Sequence, residues 1–199
     1  MEFIKDGLGR GYVAGVNVHN QLAVNAITRN QISFVSNVHG SAYIAYGRRN
    51  FVAGNTGEAL ISFKYIGDTD LFIDQIVFAT NSDVASIELY AEHTYISGGT
   101  SLTPVNLNRS SKISSNTTIY AGVSGSSGEL TVDYVDEGPY EILDLRFGNP
   151  RTFTFDFKGA YILRKNDNFL IMGKVENAGE LIRASIYYYE EPNNSSESN

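Results

Sequence analysis

Short runs in which apolar and polar residues alternate dominate the chain from Glu58 onward, and turn residues separate one run from the next. A period of two places successive side chains on opposite faces of a strand, so the pattern predicts strands with one buried face. In the run 85–92, a slip of one residue in the pairing would bury both glutamates, which specifies the register. About eight to ten such strands, with no window of helical periodicity, predict an all-β sandwich.

The predicted strands differ in how apolar they are. Residues 71–79 are almost continuously apolar, which predicts a strand buried on both faces. Phe153, Phe155 and Phe157 share one face and are predicted to form a wall of the core, at roughly 2–3 kcal/mol of burial each. The other strands are predicted at 58–65, 85–91, 119–123, 130–134, 143–147, 160–163, 169–175 and 181–190.

One sandwich domain is predicted between two less regular ends. The fold prediction is an all-β, jelly-roll-like antiparallel β-sandwich with an extended N-terminal arm. Residues 1–50 form the glycine-rich arm with short strands, 51–192 form the sandwich, and 193–199 form a polar tail. Two interpretations of the arm stay open, since it either begins the sandwich or lies on another subunit. Within the arm, residues 28–38 are predicted to form either a brief helix or a strand.

The stretch 97–109 interrupts the alternating strands. Gly98 and Gly99 permit a tight turn with positive φ, while Pro104 removes a backbone donor and favours an extended residue before it. Asn106 and Asn108 then alternate with apolar residues, as in an edge strand. We therefore predict a structural crossover between the two sheets, formed around Gly98, Gly99, Pro104, Asn106 and Asn108.

Charge and residue types argue against several kinds of function. The net charge of −7 and the pI near 4.9 argue against direct nucleic-acid binding, although the adjacent Arg48 and Arg49 offer a local basic patch. The chain has no cysteine, which excludes disulfides, thiol catalysis and thiolate metal sites. No apolar run is long enough for a signal peptide or a membrane span, so we expect no membrane partner.

The side chains suited to catalysis or metal binding are scattered. His19, His39 and His93 lack metal-ligand spacing and are predicted to be solvated or hydrogen-bonded residues. Acidic residues at 68–74 and 133–137 lack the EF-hand pattern and are better explained as polar turns than as calcium loops. The candidates for a glycosidase pair are outward-facing strand carboxylates: Glu88, Glu92, Asp144 and Asp156. No nucleophile triad, phosphate-binding loop or dinucleotide fingerprint occurs, so we expect a non-enzymatic protein without a cofactor.

Several strand tyrosines have two interpretations. They are suited to stacking on sugars, or to a subunit interface, which is the more common use of tyrosine. They are Tyr43, Tyr46, Tyr187, Tyr188 and Tyr189.

Two segments resemble structural proteins of tailed bacteriophages. The first reads Gly-Gly-Thr-x-Leu-Thr-Pro-Val-Asn-Leu-Asn-Arg-x-Ser at 98–111. The second reads Asp-Gly-Leu-Gly-Arg-Gly-Tyr at 6–12, followed by Val-Asn at 16–17 and Asn-Gln-Leu at 20–22. Gln21 stands where those proteins usually have arginine. The two matches frame roughly the first half of the chain.

The resemblance implies a virion protein similar to capsid decoration or cement proteins, also called head auxiliary proteins. Such a protein would be assembled in the host cytoplasm and would decorate and stabilise the capsid exterior as a homotrimer bound to the major capsid protein or other virion proteins. The predicted interface lies in the arm, at Lys5, Arg10, Tyr12, Val16, Asn17, Leu22, Val24 and Arg29. The alternative is a head-fibre or tail-associated protein that binds host surface glycans, and a polysaccharide-degrading enzyme is a third hypothesis.

Overall fold

The computed structural model describes residues 3–5, 13–15, 31–54, 56–122, 129–134, 141–148 and 151–191. The chain divides into two compact units, Met1–Asn30 and Gln31–Asn199. In the first unit, β1 (Phe3–Lys5) pairs antiparallel with β2 (Val13–Gly15).

The second unit is built almost entirely of strands. Its helix α1 spans Gln31–Val38, so the ambiguous segment 28–38 contains a helix. The strands are β3 (Ala42–Asn50), β4 (Glu58–Tyr65), β5 (Leu71–Thr80), β6 (Val84–Tyr90), β7 (Thr94–Ser97), β8 (Thr100–Ser101), β9 (Val105–Asn106), β10 (Thr117–Ala121), β11 (Thr131–Asp133), β12 (Glu141–Gly148), β13 (Arg151–Leu163), β14 (Asn168–Val175) and β15 (Leu181–Glu190).

Eight of these strands have the order of a jelly roll. Along the chain they are β3, β4, β5, β6, β12, β13, β14 and β15. One sheet joins the first, eighth, third and sixth of them, the other joins the second, seventh, fourth and fifth, and the neighbours are antiparallel. The predicted all-β, jelly-roll-like sandwich is therefore confirmed. Because β3 lies inside its sheet, the sandwich begins before the predicted boundary at residue 51.

The strands β7 to β11 form an insertion between β6 and β12. β10 and β8 extend the six-stranded sheet beyond β4, and β9 extends the five-stranded sheet beyond β3. The chain thus passes from one sheet to the other and back along the same side of the sandwich. The predicted crossover belongs to this insertion and passes between the two sheets from β8 to β9, whereas the strands that the insertion joins, β6 and β12, are neighbours in one sheet.

The main core lies between the two sheets. Phe63 of β4 stacks on Phe169 of β14 with ring centroids 4.7 Å apart and meets Tyr188 of β15 edge-on at 5.3 Å. A second cluster on the other face of the six-stranded sheet includes Leu130 and Leu170, so β4 is buried on both faces. A third cluster packs α1 against the ends of β3, β5 and β15.

Two burial predictions are wrong in extent. β5 is buried on one face and half-buried on the other, instead of being buried on both. Phe153, Phe155 and Phe157 do share one face, but β13 is the edge strand of its sheet and leaves them half-buried. Residues 151–163 form a single strand where two strands were predicted, and its pairing with β5 is interrupted between Asp156 and Tyr161, where Lys158 and Gly159 have positive φ.

Candidate functional site

Most of the predicted arm interface lies outside the described residues. Lys5 ends β1, where its Cα partner in β2 is Val13. The other predicted interface residues fall outside the part of the chain that the structure describes: Arg10, Tyr12, Val16, Asn17, Leu22, Val24 and Arg29. Their assignment to a subunit interface stays a prediction.

The glycine pair of the crossover forms a tight turn between β7 and β8. Gly98 and Gly99 have φ values of 79° and 74°, in the left-handed region that side chains rarely adopt. A Cβ added to Gly98 would clash with the carbonyl oxygen of Glu129, so the turn packs directly against the chain that leads into β11. Pro104 lies between β8 and β9, where the chain leaves one sheet edge for the other.

The two asparagines of the crossover hold it against the C-terminal end of α1. Nδ2 of Asn106 donates to the carbonyl oxygens of Gly40 at 2.7 Å and Ile113 at 3.0 Å. Nδ2 of Asn108 donates to the carbonyl oxygen of Ser36 at 3.0 Å. Each Oδ1 also accepts from the backbone amide two residues later, at 2.9 and 3.1 Å. These side chains satisfy backbone carbonyl groups of a helix end and a loop, and the hydroxyl of Ser111 donates to the same Gly40 oxygen at 3.0 Å.

Because the asparagines face inward, the apolar residues that alternate with them face solvent. Val105 is 49% exposed and Leu107 is 37% exposed, while Ile113 and Val38 are 52% and 54% exposed. Leu107 also lines a cavity of about 180 Å³ together with residues of α1. We call Val38, Val105, Leu107 and Ile113 the exposed strip. The sequence predicted alternation here, but not that the asparagines would take the inner face.

The predicted basic patch at Arg48 and Arg49 is wrong. The alternation of β3 leaves Arg48 in solvent but buries Arg49, which is 2% exposed. Its guanidinium pairs with Glu58 at 2.6 Å and Glu129 at 3.2 Å, and it donates to the carbonyl oxygen of Ala59 at 2.8 Å. Because β3 and β4 belong to different sheets, this buried ion pair is a structural link between the two layers.

The tyrosines considered for sugar stacking do not form one exposed surface. Tyr43 and Tyr188 stack in the core with ring centroids 5.5 Å apart, and Tyr189 stacks on a phenylalanine of β5. Tyr46 is exposed and Tyr187 is half-buried. The burial of three of these five side chains removes them as sugar platforms.

The carboxylates considered for catalysis or calcium lie on separate elements. Glu88 lies on β6, Glu92 follows it, and Asp156 is exposed on β13. Asp144 is the Cα partner of Glu88 in the pairing of β12 with β6. Asp68 forms an ion pair with a lysine in the turn after β13. Among the residues that the structure describes, no three acidic or histidine side chains are grouped to hold a metal ion.

His93 lies at a site that the sequence did not single out. Its Nε2 is 2.5 Å from Oγ of the buried Ser62 on β4, and its backbone amide donates to Oδ1 of Asn168 at 2.8 Å. Burial lowers the pKa of His93 to about 4; hydrogen bonding to Asn168 opposes this shift, and nearby Lys64 adds to it. The imidazole is therefore neutral at pH 7 and acts as a hydrogen-bonding group rather than a charge.

The pair formed by Ser62 and His93 is not arranged as a catalytic dyad. The hydroxyl of Ser62 is buried, and Nδ1 of His93 has no hydrogen-bond partner within the described ranges. A serine nucleophile needs an accessible hydroxyl and a base oriented by a third group. The contact instead fixes the position of the imidazole against the sheet.

Two cavities meet at His93. The first, of about 490 Å³, lies between the link from β6 to β7, the strand β11 and the turn from β13 to β14. The second, of about 530 Å³, lies between β4, β7 and β10. His93, Thr94 and Asn168 line both cavities. No local motif marks the site, because residues far apart in sequence build it.

Comparison with known proteins assigns no family to this jelly roll. No family model matches the chain, and no curated protein matches it. In the part of the chain that the structure describes, no helix combines the length and the apolar character needed to cross a bilayer.

Proposed function

We propose that this chain is a non-enzymatic structural protein of a tailed-phage virion, which decorates the capsid exterior and stabilises it as a homotrimer. The observation that carries the proposal is the exposed strip. Val38 ends α1, Val105 and Leu107 belong to the crossover, and Ile113 follows it. The crossover is one of the two segments that resemble phage structural proteins. A segment that resembles virion proteins thus presents apolar side chains to solvent.

The geometry of the strip suits contact with another protein. Among the residues that the structure describes, β9 is the outer strand of its sheet, so its edge offers backbone groups next to exposed Val105 and Leu107. An incoming segment gains main-chain hydrogen bonds and apolar burial from such an edge. Burying the exposed half of each apolar side chain contributes about 1 kcal/mol to the binding free energy. This gain is small for one contact, but it adds up when many copies bind the same capsid.

The hydrogen bonds of Asn106 and Asn108 also favour an interface role. They fix the crossover against α1 before any partner arrives. A surface that is already ordered loses little conformational entropy on binding. The partner that we propose is the major capsid protein or another exterior virion protein.

Capsids that lack this protein provide the test. The purified chain is mixed with them, and co-sedimentation measures binding while electron microscopy locates the added density. The variant Val105→Ser with Leu107→Ser should lose at least about tenfold in affinity, equivalent to about 1.4 kcal/mol. The matched control is Val84→Ser with Ile162→Ser, which removes two exposed apolar side chains outside the strip and should bind normally.

Three results would count against parts of the proposal. A wild-type chain that does not bind capsids overturns the decoration role. Equal binding by the strip variant and the control overturns the assignment of the interface to the strip. If sedimentation equilibrium gives a monomer mass for the purified chain, the proposed trimer is overturned.

A further inference from the structure

We propose that the two cavities around His93 form one cleft that binds a neutral oligosaccharide. This role is separate from the capsid interface, since none of the residues of the exposed strip lines either cavity. Each cavity has a volume in the range typical of small-ligand sites. The two cavities adjoin, since His93, Thr94 and Asn168 line both, and together they offer room for several linked sugar units.

The lining of the first cavity combines groups that recognise hydroxyls with aromatic rings. Carboxylates accept hydrogen bonds, and amides both donate and accept them, as a ring of sugar hydroxyls requires. Tyrosine rings provide apolar faces for the C–H groups of a sugar while their hydroxyls stay polar. The residues concerned are Glu92, Asp133, Asp167, Asn166, Tyr134 and Tyr161.

The second cavity also combines aromatic rings with polar side chains. Tyr95 and Tyr120 stack nearly parallel, with centroids 4.3 Å apart and an interplanar angle of 11°. Both rings line the cavity together with Thr118 and Lys64. Rings held in this way are positioned before the ligand arrives, so binding orders few side chains.

The charges around the first cavity select against anionic ligands, whereas the second cavity has Lys64 among its lining residues. The first cavity has three carboxylates and no lysine or arginine among its lining residues, which repels phosphate, sulfate and acidic sugars. His93 adds no positive charge at neutral pH because its pKa lies near 4. A metal ion is the other ligand that carboxylates recruit, but the described part of the chain holds no suitable group of three ligands. A neutral, hydroxyl-rich ligand fits the remaining chemistry.

The cleft is a product of the insertion. Asp133 and Tyr134 come from β11 and the residue after it, while Thr94 and Tyr95 come from β7. The jelly roll supplies the opposite wall through β4, β14 and the turn before β14. Tyr134 is held by a tilted ring contact with Tyr90, with centroids 4.9 Å apart and an interplanar angle of 53°.

Titration calorimetry and NMR with neutral hexasaccharides test the proposal. The probes are hexamers of α-glucose, β-glucose, mannose and N-acetylglucosamine, with hexa-uronate as the acidic comparison. We expect at least one neutral hexamer to bind and the hexa-uronate not to bind. The variant Glu92→Ala with Asp133→Ala should weaken that binding at least about tenfold, since both side chains are exposed and their removal leaves the core intact.

Asp83→Ala is the matched control, because it removes an exposed carboxylate in the turn at the other end of β6. It should bind the oligosaccharide as the wild type does. Binding of the uronate alone, binding of no probe, or equal affinity of the cleft variant and the wild type would each overturn the proposal.

Discussion

Acid should destabilise this protein through one imidazole. Burial lowers the pKa of His93 from its usual value of 6.5 to about 4. Between these two values the unfolded chain binds a proton at this residue and the folded chain does not. The free energy of unfolding therefore falls as the pH decreases from 6.5 towards 4, and it is independent of His93 above 6.5.

The size of this effect follows from the pKa difference. Full depression from 6.5 to about 4 corresponds to an upper limit of about 3 kcal/mol. The imidazole is half-buried, so solvent screening reduces the expected loss to about 2 kcal/mol at pH 4.5.

A double variant isolates the contribution of His93. His93→Leu alone leaves the buried Ser62 hydroxyl without this hydrogen bond, at a cost of about 1–3 kcal/mol. His93→Leu with Ser62→Ala removes both partners, and at pH 7 it should match or exceed the wild-type stability because it also removes the buried Nδ1, which has no hydrogen-bond partner among the described residues. Urea unfolding followed by circular dichroism and tyrosine fluorescence, from pH 7.5 to 4.5, gives both free energies.

The measured quantity is the difference in the free energy of unfolding between the wild type and the double variant. This difference cancels the contribution of the carboxylates, because they titrate in both proteins. The double variant should gain about 2 kcal/mol relative to the wild type between pH 7 and pH 4.5. His39→Gln controls for the loss of a histidine elsewhere. A wild-type minus double-variant difference that stays constant over this range would refute the reasoning.

Three further substitutions, two of them with a matched control, test the packing by the same unfolding measurement. Arg49→Met should cost about 3–5 kcal/mol because it leaves a buried glutamate unpaired, whereas Arg48→Met should stay within about 0.5 kcal/mol. Gly98→Ala should cost more than about 2 kcal/mol because a positive φ and a backbone clash combine, whereas Gly179→Ala, with a positive φ in open space, should cost about 1 kcal/mol. Glu190→Gln should cost about 1–3 kcal/mol by weakening the hydrogen bonds that this buried carboxylate accepts from residues 115 and 116.

Each comparison has a result that contradicts it. Equal losses for the two arginine variants would mean that burial of the ion pair does not matter. Equal losses of stability for the two glycine variants would mean that the positive φ accounts for the whole loss and the backbone clash at Gly98 for none of it. A stability of the glutamine variant equal to that of the wild type would show that its amide replaces the carboxylate fully.

The jelly-roll strands were predictable because a period of two is a local property. The run 85–91 and the run 181–190 appear in the structure as β6 and β15 with nearly the same bounds. The burial of Arg49 was also within reach of this reasoning. Residues 43, 45, 47 and 49 share the buried face of β3, so continuing the alternation would have placed its guanidinium inside.

The cleft and the burial of the phenylalanine strand were beyond local patterns. Whether Phe155 is covered depends on β13 being an edge strand, which sheet order decides. His93 meets Ser62 and Asn168 across separations of 31 and 75 residues. Such contacts cannot be predicted from spacing along the chain, because they form only when the insertion packs over the sheet.

The insertion separates the jelly-roll scaffold from most of the surfaces that we propose to bind partners. β6 and β12 are neighbours in one sheet, so a short hairpin turn could join them and keep the eight-strand order. The whole insertion, which carries much of the cleft and of the exposed strip, could therefore be replaced by another sequence without changing the order of the eight strands. The exchange is constrained, because the same insertion covers the edges of β3 and β4, and a replacement that fails to cover them would expose two strands to aggregation.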